Sequence, residues 1–373
     1  MKIVADDKIP FLKGVLEPFA EVVYLPGDQI NSPVVVDADA LLTRSITTCN
    51  AGLLAGSKIK LIATATIGDD HIDKQFCAEN NIQWTHAKGC NAGAVEQYVT
   101  AALLEMAYQE NITLKDKTIG IIGVGEIGSR VAHIAGVLGM KVLLNDPPKS
   151  RIEGAKGFCN LEEIQQKADF ITLHVPLTFE GEDKTFHLLD DDFFERMEKP
   201  VRLINSSRGG ILETDVLKRS IKSGKIKSLA IDVWENEPEI DKALLELVDI
   251  STPHIAGYSL QGKANATEMV VRSLADFFNL PLTSWNPDIP LSEEKININC
   301  QKTSARAVLK KIFDRVYPIR DDSGKLKQEP ARFEQIRRDY PLRLENESYT
   351  VSFSGCSPEM QDVIKKLRFN ITN

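Results

Sequence analysis

The sequence predicts an α/β protein built on a doubly wound parallel sheet, with a smaller α/β unit before it and a mixed α+β tail after it. Three observations carry this. Short apolar runs alternate with helix-like stretches through most of the 373 residues, the pattern of parallel strands joined by crossover helices. Six strand candidates form one series after a long helical stretch. The tail, beyond a proline-rich segment, changes character and mixes both patterns. At roughly 150 residues per domain the length suggests two or three domains.

The elements follow in order. Residues 2–5 (KIVA), 22–25 (VVYL), 40–43 (ALLT), 60–65 (KLIATA) and 82–84 (IQW) are the strand candidates of the first unit. Residues 93–110 show unbroken helical periodicity, long enough for a helix joining two domains. The second series is Thr118–Gly123, Lys141–Asn145, Phe170–His174, Val201–Asn205, Ser228–Asp232 and Val248–Ser251. Such a series makes a doubly wound sheet whose strand carboxyl ends are the ligand edge. Residues 262–279 return to helix, and LPLTSWNPDIP (280–290) reads as a stiff linker. In the tail, SARAVLKKIFDRVY, ARFEQIRRDY and PEMQDVIKKLRF are helix-like and YTVSF strand-like.

Composition narrows the function. Hydrophobic residues make up 43% and charged residues 26%, and the net charge is −8. This argues against a nucleic-acid or membrane-surface binder, since phosphate backbones require a basic footprint. A small anionic ligand needs only local cations and stays open. The six cysteines (Cys49, Cys77, Cys90, Cys159, Cys300 and Cys356) show no C-x-x-C spacing. No metal site is expected, and the cysteines are read as reduced cytosolic thiols. MKIVADD runs straight into a strand without a signal-peptide core, so a cytoplasmic location is expected.

The stretch TIGIIGVGEIGSRVA contains Gly123, Gly125 and Gly128 as G-x-G-x-x-G. Alone the pattern is modest. Entered by an apolar strand and left by a helix, it reads as a dinucleotide loop. Gly123 permits the turn, Gly125 lets a pyrophosphate approach, and Gly128 lets helix and strand pack closely. The backbone at Glu126 and Ile127 opens the helix N-terminus toward phosphate. The competing reading is a glycine-rich turn without ligand. Asp146 lies 18 residues after Gly128 at the end of the next strand. A carboxylate there accepts from a ribose and repels a 2′-phosphate, which favours NAD over NADP. The alternative is an aspartate that starts a turn before Pro147.

Three later strand ends lead into SSRGG, VWENEP and TPHIAGY, and so carry Arg208, Glu237 and His254 to the same edge. Oxidation of a 2-hydroxy acid needs a cation for the carboxylate and developing carbonyl, a base for the hydroxyl proton, and a group that orients the base. Arg208 suits the first as a bidentate, permanently charged guanidinium. His254 suits the second, because imidazole titrates near working pH. Glu237 suits the third. Taken singly, each is more often a solvated or structural residue; what argues for chemistry is the set at successive strand ends.

These segments, with HVPLT (174–178), make the chain resemble the D-isomer-specific 2-hydroxyacid dehydrogenases. Further segments, LLTRSIT (41–47), TATIGDDHID (64–73), GCNA (89–92), HIAGYSLQGK (254–263) and FEQIRRDYPLR (333–343), are similar to one branch of them. That branch oxidises 4-phospho-D-erythronate at C2 in pyridoxal 5′-phosphate biosynthesis.

The resemblance implies a split flavodoxin-like substrate domain (1–92 and 257–280), an NAD domain (93–256) and a C-terminal dimerisation domain (281–373), hence a homodimer. It implies substrate contacts at Ser45, Thr66 and Tyr258. It implies NAD contacts at Asp146, Val175, Ser206, Ser207, Arg208, Asp232 and Gly257. Val175 stands where a small polar residue is expected; a backbone contact survives that change. Arg44, beside Ser45, is the nearest candidate cation for the substrate phosphate, or else shapes the cleft through an ion pair. Another NAD-dependent 2-hydroxyacid dehydrogenase, such as one acting on phosphoglycerate, and a non-catalytic NAD(H)-sensing protein are the alternatives.

Overall fold

A computed structural model describes residues 1–289, 295–341 and 343–372. Pro290 of the expected linker and Leu342 of FEQIRRDYPLR lie outside the described residues. The chain divides into two compact units, Met1–Asn91 with Ser259–Pro290 and Ala92–Tyr258 with Leu291–Asn373.

The first unit holds a five-stranded sheet: β1 Lys2–Asp6, β2 Glu21–Leu25, β3 Ala40–Thr43, β4 Leu61–Thr64 and β5 Gln83–His86. The order is β2-β1-β3-β4-β5 and every pairing is parallel. β1, β3 and β4 are buried almost throughout, as continuous apolar strands covered on both faces must be. One cover is helix Leu260–Phe278, whose Val270, Val271 and Leu274 pack with Ile3, Ala5 and Leu42. Leu280, Leu282 and Trp285 extend this cluster. The stretch expected as a stiff linker is therefore, through its described residues, packed onto the first unit.

The second unit holds β6 Thr118–Ile122, β7 Lys141–Asn145, β8 Phe170–Leu173, β9 Val201–Asn205, β10 Ile226–Ile231 and β11 Ile250–Ser251. Their order is β11-β10-β9-β8-β6-β7, again all parallel. The chain winds outward from β6 to β7 and returns past β6 to β8. This places the topological switch point at the end of β6, where G-x-G-x-x-G begins. Helix Ala92–Gln109 is buried on nearly every face, including Glu96, Gln97 and Glu105. Glu105 is neutralised by Lys310 (3.0 Å) and Arg320 from the tail.

The tail contributes β12 Lys295–Asn299, β13 Thr350–Ser354 and β14 Asn370–Thr372, a parallel sheet in that order. The sequence pointed to β13 only. Val308, Ile312 and Phe313 share a core with the buried Ala92–Gln109 helix, and Leu326, Phe333 and Ile336 share one with β8–β10. Against the expected boundaries, residues 257–258 and 295–372 cluster with the second unit and 281–289 with the first.

One expectation is corrected. Of six cysteines read as reduced, Cys300 and Cys356 form a disulfide, with Cα atoms 4.8 Å apart. The parallel register pairs Asn299 with Ser354, so the chain just beyond the two strands meets there. Cys49, Cys77, Cys90 and Cys159 are free thiols. Among the described residues no helix is long and apolar enough to cross a membrane. Among the described residues no group of three His, Cys, Asp or Glu side chains suits a metal.

Candidate functional site

The glycine loop fits a dinucleotide for different reasons at each position. Gly123 has φ +90°, and a Cβ there would meet the His174 carbonyl at 2.5 Å and Val175 Cγ1 at 2.8 Å. A Cβ at Gly128 would lie 1.9 Å from the Gly123 carbonyl oxygen. Both glycines are demanded by the chain itself. Gly125 is not: its φ is −78° and nothing lies within 4 Å of its Cβ position. What benefits from a bare backbone at Gly125 is a ligand approaching from outside. Helix Glu126–Val137 starts there with no side chain capping it, which leaves first-turn N–H groups for a phosphate.

Asp146 accepts from Val124 N–H (2.8 Å) and Lys149 N–H (3.0 Å), so it also caps the next helix, as its turn-forming alternative required. Each carboxylate oxygen keeps a further lone pair for a ribose hydroxyl. Next to the loop, the Nδ1 atom of His174 is buried without a hydrogen-bond partner among the described residues, and burial lowers the pKa of the ring to about 3.

Loops at the ends of β9 and β10 and after β11 carry Arg208, Glu237 and His254, and the last two meet. Asn205, the last residue of β9, organises the first loop. Its Oδ1 accepts from Ser207 N–H (3.1 Å) and Oγ (2.9 Å), and its Nδ2 donates to Arg208 O (3.0 Å). Ser206 Oγ is buried without a hydrogen-bond partner among the described residues. Arg208 Nη1 donates to Ser207 O (2.8 Å). A Cβ on Gly209 would sit 1.9 Å from Trp234 O, so this glycine lets the Arg208 loop lie against the loop that carries Glu237.

Glu237 is held at both oxygens. Trp234 N–H donates to Oε1 (2.7 Å), and His254 Nδ1 lies 2.8 Å from Oε2. A carboxylate only accepts here, so it fixes the proton on Nδ1 and leaves Nε2 as the lone-pair nitrogen of neutral His254.

His254 itself has φ +57°. Asp232 holds that conformation: its carbonyl accepts His254 N–H (2.7 Å), while its carboxylate accepts from Ile255 N–H (2.8 Å), Ala256 N–H (2.9 Å) and Thr252 Oγ1 (2.6 Å). Asp232 is 1% exposed, so its side chain serves the loop. Arg343 adds a brace, with Nη2 donating to Ala256 O (2.7 Å).

In the first unit, Arg44 and Ser45 follow β3, and Thr66 follows β4 with its hydroxyl 2.8 Å from that of Thr64. Burial, and then the nearby charge of Arg44, lowers the pKa of Lys263. Sequence reading missed Asn205, Lys263 and the tail arginines. Asn205 was visible as the first letter of NSSRGG. Lys263 and Arg343 become legible only in three dimensions.

A model of the NAD binding domain of the D-isomer specific 2-hydroxyacid dehydrogenases matches residues 90–256. Erythronate-4-phosphate dehydrogenase of Bacteroides thetaiotaomicron is 47% identical over 356 residues, spanning 94% of this chain and 99% of its own. The chain belongs to the erythronate-4-phosphate dehydrogenase family. The Porphyromonas gingivalis member is 39% identical over 99% of this chain and 100% of its own. Among solved structures, D-lactate dehydrogenase of Aquifex aeolicus, complexed with NAD and lactic acid, is 27% identical with a TM-score of 0.60. It covers 78% of this chain and 100% of that one. The protein is thus an NAD-dependent 2-hydroxyacid dehydrogenase with the family's α/β fold.

Proposed function

We propose that the enzyme oxidises 4-phospho-D-erythronate at C2, yielding 3-hydroxy-2-oxo-4-phosphooxybutanoate, in pyridoxal 5′-phosphate biosynthesis. The observation that carries the chemistry is the Trp234–Glu237–His254 chain of hydrogen bonds, which engages Nδ1 and leaves Nε2 as the lone-pair nitrogen on a braced loop. The substrate reading rests on relatives of that name aligned along nearly the whole chain.

Neutral His254 takes the C2 hydroxyl proton at Nε2. Glu237, already bonded to Nδ1, stabilises the imidazolium that results. Arg208 binds the C1 carboxylate and polarises the forming C2 carbonyl. Bound NAD⁺ supplies the acceptor for the two electrons removed from C2. Its holding residues are the backbone of Gly123–Gly128, Asp146 for the ribose, Val175, the Ser206–Arg208 loop and Gly257. Asp232 acts by shaping the His254 loop.

Ser45, Thr66 and Tyr258 are offered as substrate contacts, with Arg44 as a phosphate cation. The three-domain division, dimerisation through the tail and a cytoplasmic location belong to the same reading. Turnover of purified hydroxy acids, followed as NADH absorbance, tests it. We expect 4-phospho-D-erythronate to be preferred over 3-phosphoglycerate and D-lactate; preference for an unphosphorylated acid rejects the substrate. Sedimentation of the full chain and of a chain ended at Asp288 tests the dimer; equal oligomeric state rejects the tail as interface.

A further inference from the structure

A phosphate ester needs cations of its own, and the tail contains several arginines near the site loops. Most are committed. Arg332 pairs with Glu329 at 2.7 Å, Arg338 with Asp339 at 3.4 Å, and Arg320 with Glu105. Arg343 is buried, with its guanidinium carbon 4.0 Å from the centre of the Tyr317 ring and Nη2 donating to the carbonyls of Ala94 and Ala256, so it braces the loops from inside rather than facing a ligand. Arg337 is different. Among the described residues it has no carboxylate partner, and its one side-chain hydrogen bond runs from Nε to the Tyr258 hydroxyl, 3.2 Å away. Its guanidinium carbon lies 5.9 Å from the centre of the Tyr258 ring.

This contact fixes the guanidinium while leaving both Nη groups, with four N–H donors, without a partner among the described residues. Half-buried arginines usually meet a carboxylate, because an uncompensated charge is costly away from bulk water. An arginine held in place by a tyrosine, with its fork unengaged, is preorganised for an anion that arrives from outside. Its position relates it to the chemistry. Tyr258 N–H donates to Ile255 O at 2.8 Å, so the loop turns back at once and Tyr258 stays beside the residue following His254. Tyr340, anchored through Asp322 (2.7 Å), packs edge-on with the Tyr258 ring, their centres 6.3 Å apart.

We infer that Arg337 is a specificity-determining residue which binds the phosphate of the substrate through its two Nη groups, with Tyr258 holding the guanidinium in register. The inference rests on the proposed phosphorylated substrate and assigns one of the cations that substrate requires. Arg337 takes no part in proton transfer, so its loss affects the reaction only as far as the phosphate is used for binding.

The test compares kcat/KM for 4-phospho-D-erythronate and for D-erythronate, which lacks the phosphate, in the wild type, Arg337→Gln and Arg337→Lys. A wild-type preference for the phosphorylated acid decides the substrate reading by itself. The variants decide the inference. For Arg337→Gln we expect about a 100-fold loss on the phosphorylated acid, the scale of a charged double hydrogen bond, with D-erythronate turnover changed less than about threefold. Arg337→Lys should recover part of that loss.

Inorganic phosphate, used as an inhibitor that competes with 4-phospho-D-erythronate, should also bind more weakly to Arg337→Gln. Melting temperature and NADH binding report whether the variant is folded. Equal loss on both acids, or unchanged discrimination with unchanged phosphate inhibition, overturns the inference. If the wild type ignores the phosphate on its substrate and inorganic phosphate does not inhibit, the substrate reading and the inference fall together.

Discussion

The two large sheets are wound alike. β2-β1-β3-β4-β5 in the first unit and β7-β6-β8-β9-β10 in the second have the same order and direction, the second adding β11. Their turns after the first strand differ completely. β6 ends in Gly123-Val124-Gly125 and feeds a 12-residue helix without a side-chain cap. β1 ends in Asp6, 1% exposed, with Asp7 beside it, and Asp6 Oδ1 closes the turn by accepting Lys8 N–H at 2.8 Å. One turn offers N–H groups to an anion; the other fills the same place with carboxylate and would repel a phosphate. Winding creates the ligand edge, but the residues at the turn decide what occupies it. The first sheet's later ends carry Arg44, Ser45 and Thr66, which suit a small acid rather than a dinucleotide.

The largest effect expected is at the second sheet's edge. His254→Asn should lower kcat by about 10²–10⁴-fold, the usual worth of a general base, and leave NADH binding unchanged. Fluorescence titration with NADH alongside steady-state rates checks it. A near-normal rate would mean that the two edges do not differ in the way argued.

The glycine loop gives the next test, because its glycines answer to different demands. Gly128→Ala drives a methyl to 1.9 Å from the Gly123 carbonyl. It should destabilise by about 3 kcal/mol, the upper end for overpacking, and weaken NADH binding as well. Gly125→Ala meets open space in the chain, so its melting temperature should stay at the wild-type value while NADH binding falls. Thermal melts with and without NADH separate the two. If Gly125→Ala binds NADH normally, that face of the loop does not receive the dinucleotide.

The same contrast explains what the sequence made legible. Strand ends that become turns leave strong local marks: Gly123, Gly125 and Gly128 stand within six residues, and Arg208, Glu237 and His254 each follow an apolar run. The interactions that hold them in place leave none. The Asp232 carboxylate reaches Ile255 and Ala256, 23 and 24 residues on, a bracing role that its expected place as an NAD contact does not reveal. Arg337 finds Tyr258 across 79 residues, while ARFEQIRRDY marks it only as one residue of a helix-like stretch. β12 alternates exposed and buried residues, but KININ is short and polar, and its apolar positions make sense only beside β13. Cys300 and Cys356, 56 residues apart, carry no spacing signal because strand register brings them together.

The smallest effect sharpens the comparison through a partly buried histidine in each unit whose pKa burial lowers. In the first, His71 Nε2 lies 3.1 Å from Thr64 Oγ1, and its pKa is lowered by burial but pulled back by Asp70 and Asp69. In the second, His174 Nε2 lies 3.0 Å from Thr172 Oγ1, and burial acts unopposed, to a pKa of about 3. A histidine whose folded pKa is depressed binds its proton only in the unfolded chain between about 6.5 and 3. Its neutral state costs nothing above the upper value, and stability falls as pH drops below it. At pH 5 the His174 contribution should be at most about 2 kcal/mol against pH 7. His174→Gln should lose that slope, and the corresponding change at His71 should lose less, because its two aspartates already favour the proton. Urea unfolding of wild type and both variants at pH 5 and pH 7 measures this directly. An equal slope change at the two sites would show that nearby carboxylates do not set the second histidine apart from the first.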